Sequence, residues 1–88
     1  MTTPADAIRK IIVRHPDLRG ISIEALKDNV TFRAIGANDQ VMVDIEYEIE
    51  EEFSILFNQD LFEFSTIGEL IAVVEQKLND KLPRAAVG

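Results

Sequence analysis

The stretch Ile35-Gly36-Ala37-Asn38-Asp39-Gln40-Val41-Met42-Val43-Asp44-Ile45-Glu46-Tyr47-Glu48-Ile49-Glu50-Glu51-Glu52-Phe53 decides the fold of this chain. Six of the nine residues from Asp44 to Glu52 are acidic. From Val43 to Glu50 apolar and acidic residues alternate without a break. That is the pattern of a half-buried strand, and Val, Ile and Tyr favour strands. Two features argue for a helix instead. Asn38-Asp39 can cap one, because either side chain can accept a bond from a free backbone N–H. At ~100° per residue Val41, Ile45, Ile49 and Phe53 line one stripe, with Met42 at its edge. On such a helix Val43 and Tyr47 lie together on the far side, flanked by Asp44, Glu50 and Glu51. This exposed pair in an acidic field reads either as a docking spot or as scattered surface apolar residues, which are common.

The flanking segments are helical. Thr3-Pro4-Ala5-Asp6 opens a helix: Thr3 can cap, Pro4 suits the first helical position, and Asp6 favours the positive end. Ile8, Ile11 and Ile12 share one face with Ala5 beside them, and His15-Pro16 ends the helix. His15 reads as a charge at a helix C-terminus or as a catalytic base; no partner for a base is visible in the sequence. From Asp17 to Ile35 runs a long connection with a turn at Gly20 and a short helical turn at Ser22 to Leu26. Its apolar residues Ile21, Ile23, Leu26, Val30, Phe32 and Ile35 are expected to pack on the core. A second connection, Ser54 to Ser65, carries Ile55, Phe57, Leu61, Phe62 and Phe64, which read as core, and has room for a short helix at Asp60 to Phe64. Thr66 and Glu69 are spaced for a capping box. Ile67, Leu70, Ile71, Val74 and Leu78 then follow at helical spacing up to Lys81-Leu82-Pro83. One domain over residues 1–88 is expected, frayed at 1–3 and 80–88.

Composition narrows the function. Of 88 residues 47 % are apolar, enough for a core in one small domain. There is no cysteine and a single histidine, which leaves no thiolate or histidine-rich metal site. A net charge of −7 argues against nucleic acid and anionic membranes and for a basic protein partner. No apolar run approaches the ~20 residues of a membrane span, and the N-terminus lacks the layout of a signal peptide. The expected protein is a cytoplasmic monomer. The acids form a dense, solvated run without the spacing or turn glycine of a calcium loop. They lack the apolar site that raises the pKa of a catalytic carboxyl. No catalytic, cofactor or metal residue is therefore expected, and the chain does not read as an enzyme.

Residues 29–78 resemble the acyl carrier protein family. Members show a bulky apolar residue, two spacers, Leu-Gly, one further residue and Asp-Ser-Leu. Here the slots hold Phe32-Arg33-Ala34-Ile35-Gly36-Ala37-Asn38-Asp39-Gln40. The Leu-Glu-Glu-Glu-Phe end of the family's second helix is matched by Ile49-Glu50-Glu51-Glu52-Phe53, and its Thr-Thr-Val by Ser65-Thr66-Ile67. The resemblance favours the helical reading. It implies an all-α four-helix bundle with a long first loop and a short third helix. It also implies that a partner's basic surface meets the second helix at Gln40, Val43, Asp44, Tyr47, Glu50 and Glu51. The departure is as specific. The family's serine carries phosphopantetheine through a phosphodiester, and Asp39 occupies that slot. A carboxylate cannot be esterified in this way. Gln40 replaces a leucine that helps the modifying enzyme dock, and Glu46 stands where an apolar residue is usual, implying a locally altered core. None of Ser22, Ser54 and Ser65 has a matching context. The resemblance thus points to a serine-less, non-enzymatic docking module for an acyl-transfer or synthase enzyme of fatty-acid, polyketide or lipid assembly, with no cofactor. A working carrier with an unrecognised attachment site, or an acidic regulatory subunit unrelated to acyl chemistry, are the alternatives.

Overall fold

The computed structural model describes residues 3–18, 20–57 and 66–81. Three α-helices account for most of them: α1 (Pro4–Arg14), α2 (Asp39–Phe53) and α3 (Ile67–Lys81). Single 3₁₀ turns at Pro16–Leu18 and Ile23–Ala25 interrupt the long connection between α1 and α2. The fold of the described residues is all-α. The strand-like alternation of residues 43–50 lies wholly inside α2. The short helix expected at Asp60 to Phe64 falls outside the described residues, as do Leu61, Phe62 and Phe64. Asp80 and Lys81, expected to fray, are helical.

Each helix starts where its side chains satisfy the free N–H groups of the first turn. Thr3 accepts from the Asp6 N–H at 3.1 Å. Asn38 accepts from the Val41 N–H at 2.9 Å. Thr66 and Glu69 form the expected capping box: the Glu69 N–H donates to Thr66 Oγ1 at 3.1 Å, and the Thr66 N–H to Glu69 Oε1 at 3.0 Å. At its other end α2 closes on Ser54, a non-glycine residue in the left-handed region (φ 56°, ψ 47°).

α1 packs against both α2 and α3 and against both 3₁₀ turns. Ile8, Ile11 and Ile12 are buried there, beside Val41, Ile45 and Ile49 of α2 and Ile67, Leu70, Ile71 and Val74 of α3 in a single core. The long connection joins that core through Leu18, Leu26 and Phe32, with Ile21, Val30 and Ile35 packed against it.

Polar bonds hold the connection in place. The Arg9 side chain donates through Nε to the Leu26 carbonyl at 2.6 Å and through its guanidinium to Asp28 at 2.5 Å. The Ile67 N–H donates to the Val30 carbonyl and the Gly68 N–H to the Asp28 carbonyl, each at 2.9 Å. Gly68 permits this approach, since a Cβ there would stand 2.9 Å from both the carbonyl oxygen and the Cβ of Asp28.

Candidate functional site

The candidate site is α2 and the turn before it. Gly36 takes φ +81°, a left-handed conformation that suits glycine, and folds the chain back so that the Ala37 N–H reaches the Phe32 carbonyl at 2.9 Å. Thr31 Oγ1 accepts from the Ala34 N–H at 3.0 Å in the same turn. Asn38 then caps, and Asp39 becomes the first residue of α2 with its side chain in solvent. An open surface depression here is lined by Arg33, Gly36, Ala37, Asn38, Asp39 and Gln40. The Asp39 carboxylate sits at the positive end of the helix dipole, which favours it.

One turn on, the face is tied to α1. Gln40 donates to Asp44 Oδ1 at 3.0 Å, and His15 Nε2 lies 2.8 Å from Asp44 Oδ2. The Asp17 N–H donates to His15 Nδ1 at 3.0 Å, so Nδ1 is the unprotonated nitrogen and Nε2 carries the proton given to Asp44. These bonds, from His15 first and then Gln40, hold the Asp44 carboxyl below its usual range. His15 therefore has the partner that was not visible in the sequence, and both ring nitrogens are hydrogen-bonded. Asp44 fastens the end of α1 to α2 with both its oxygens engaged.

The remaining predicted residues divide between surface and interior. Tyr47 is 66 % exposed. It lines a shallow depression with Arg14, Glu48, Glu51 and Glu52, where Arg14 and Glu48 pair at 3.4 Å. Val43, expected to be exposed beside it, is half-buried. At ~100° per residue Val43 lies about 40° nearer the buried stripe than Tyr47, which puts it on the boundary. Glu50 is turned to structural use, since its Oε2 accepts from the Phe57 N–H at 3.0 Å. Glu51 stays in solvent. The predicted face is thus divided. Tyr47 and Glu51 are exposed to solvent, whereas Asp44 and Glu50 already hold this chain together.

No protein-family model matches this chain, and no curated protein matches it. The chemistry of the site therefore rests on its own residues. Among the described residues no group of three acidic or histidine side chains is placed to hold a metal ion. Nor is any helix among them long and apolar enough to cross a membrane.

The most unusual residue in α2 is one that periodicity does not single out. Glu46 is only 2 % exposed, and neither carboxyl oxygen has a hydrogen-bond partner. Burial, and secondarily the nearby Glu50 charge, push its carboxyl up from 4.5 to about 7. On the helical wheel it falls beside Phe53 and about 40° beyond Met42, just past the edge of the apolar stripe. The buried arc is wider than the stripe, which corrects the expectation that the acids of this run are all solvated and lack an apolar site; the family resemblance, with an apolar residue at this slot, is the one sign of it.

Proposed function

We propose that this chain is an acyl-carrier-like docking module that has lost its attachment residue and serves a protein partner without carrying a thioester. The observation that carries the reading is Asp39: a solvent-facing carboxylate at the first position of α2, immediately after the Gly36 turn and the Asn38 cap. The resemblance puts a serine hydroxyl at that slot. It also favours a helix ending at residues 49–53 after a long first loop, and α2 (Asp39–Phe53) is helical there. The family's four-helix architecture, with its short third helix within residues 60–64, is part of the proposal. So are the monomeric state, the cytoplasmic location and the non-enzymatic role. The partner is a basic surface of an acyl-transfer or synthase enzyme, attracted by the net charge of −7. Tyr47, Glu51, Glu48 and Glu52 form the part of the α2 face open to it.

Intact-mass measurement tests the reading. Incubated with coenzyme A and a broad-specificity phosphopantetheinyl transferase, the unaltered protein will gain no mass. The double variant Asp39→Ser, Gln40→Leu will gain one phosphopantetheine, because serine also starts a helix well and the turn that presents it is unchanged. Modification of the unaltered chain would place the attachment site elsewhere. Failure of the folded double variant would mean that the loss extends beyond these two side chains, to Glu46 or the shape of the first loop.

Tyr47→Ala supplies a separate check. A residue this exposed contributes within about 0.5 kcal/mol to folding, whereas an exposed aromatic at an interface is a leading candidate for binding energy. The variant will keep its urea midpoint and lose affinity for the partner. A large drop in the midpoint would make Tyr47 a structural residue.

A further inference from the structure

Glu46 plays no part in the docking reading, and the fold does not satisfy it. Around it the geometry forms a small connected unit. Glu50 stands one turn along α2 from Glu46, at the i, i+4 spacing that makes helical neighbours. Glu50 in turn holds the backbone of the next segment, accepting from the Phe57 N–H at 3.0 Å. Phe57 is 0 % exposed and is the largest fully buried side chain among the described residues. Between Glu50 and Phe57 the chain turns at Ser54 in the left-handed region, a strained conformation for a non-glycine residue. An unbonded buried carboxyl, a carboxylate clamp, a strained turn and a core aromatic thus follow one another over a dozen residues.

We propose that Glu46 and Glu50 form a carboxylate switch, in which ionisation of Glu46 drives it from the core, releases the Glu50–Phe57 clamp and opens the second half of α2 with the segment up to Phe57. In the closed form Glu46 is protonated and neutral. In the open form it is ionised in water, and the proton leaves to solvent.

Several charged groups of the other elements have partners elsewhere, and Lys10 on α1, Glu75 on α3 and Lys27 and Arg33 in the connection are exposed without a bond to Glu46. On α1, Arg9 is held by Leu26 and Asp28, and Arg14 by Glu48. His15 is bonded to Asp44. On α3, Lys77 stands over the Phe57 ring with its Nζ 6.0 Å from the centroid. Glu69 caps α3 with Thr66, and Gln76 donates to Asp80. None of these groups bonds to the Glu46 oxygens, so nothing among the described residues compensates the charge when it forms. Glu50 is the like charge that acts on it. The direction follows. The open form binds the Glu46 proton less tightly than the closed form, so opening becomes easier as pH rises. With the carboxyl at about 7 when closed and 4.5 when free, the open population rises by at most roughly 300-fold across that window and then levels off.

Amide hydrogen exchange of the intact protein between about pH 4.5 and pH 8, corrected for intrinsic exchange, tests the switch. Exchange over residues 47–57 is expected to rise by up to the ~300-fold that linkage allows and to stay faster than that of α1 and α3 at every pH. Glu46→Gln, or Glu46→Leu should the glutamine variant fold poorly, will abolish the rise. Glu50→Gln keeps an acceptor for the Phe57 N–H and removes the repelling charge, so its rise will be smaller and will level off at lower pH. Exchange over residues 47–57 that is no faster than in α1 and α3 at any pH would make the effect global unfolding and overturn the proposal. So would a flat profile, or an unchanged rise in the Glu46 variants.

Discussion

Glu46→Leu will stabilise the protein at about pH 7.5 by roughly 3 kcal/mol, since moving the carboxyl from 4.5 to about 7 corresponds to ~1.4 kcal/mol per unit. The sign follows from proton binding. Unfolded Glu46 releases its proton near 4.5, whereas the folded protein retains it to about 7. Between those values the unfolded chain binds fewer protons, so stability falls as pH rises, and above them the loss is complete. Asp44 acts in the opposite sense in a lower window. Its carboxyl is held below the ordinary value, so its contribution is present above that value and is lost as pH falls through the folded one. The contributions of these two groups together are most favourable at mildly acidic pH, between the windows. Urea denaturation at a series of pH values checks both points. The leucine variant will show no loss of stability between pH 4.5 and 7, and its advantage over the parent will shrink as pH falls. A parent that gains stability from pH 5 to 7.5, or a leucine variant no more stable than the parent at 7.5, would refute the assignment of Glu46 as an unpaired core carboxyl.

Phe57→Ala will cost about 3–5 kcal/mol, the usual loss for a deleted core aromatic. That is a large part of the ~5–15 kcal/mol that holds a domain of this size together. The side chain is wholly buried, and removing it also removes the surface over which Lys77 lies. The neighbouring residue serves as control. Leu56 is 69 % exposed, so Leu56→Ala will change stability by less than about 0.5 kcal/mol. Truncating two adjacent apolar residues in one connection will therefore shift the urea midpoint by amounts that differ several-fold. Similar losses for both would show that residues 54–57 do not alternate between core and solvent.

The three helices were legible because their signals are local. Caps at Thr3, Asn38 and Thr66 lie next to the free N–H groups they satisfy, and the stripes of Ile8, Ile11 and Ile12 and of Ile67, Leu70, Ile71 and Val74 repeat at helical spacing. The same periodicity placed Val41, Ile45 and Ile49 inside and Tyr47 outside. Within α2 the cap and the stripe prevailed over alternation. Helix or strand is a property of a whole segment, and a continuous apolar stripe can be buried only in the conformation that aligns it.

Tertiary structure decided which acids of α2 are free. Asp44 is engaged because the end of α1 delivers His15 to it, and His15 can donate because the backbone of Asp17 fixes its tautomer. Glu50 is engaged because the chain returns at Ser54 and brings the Phe57 N–H back along α2. Glu46 is buried because the packed arc around α2 is broader than its apolar stripe. Each outcome depends on a group distant along the chain or on the width of a contact, neither of which one helix's residues encode. The sequence by itself therefore determined where the helices lie and which stripe each one buries. Packing between them decided which carboxylates are bonded, which remains in solvent, and which is left in the core without a partner.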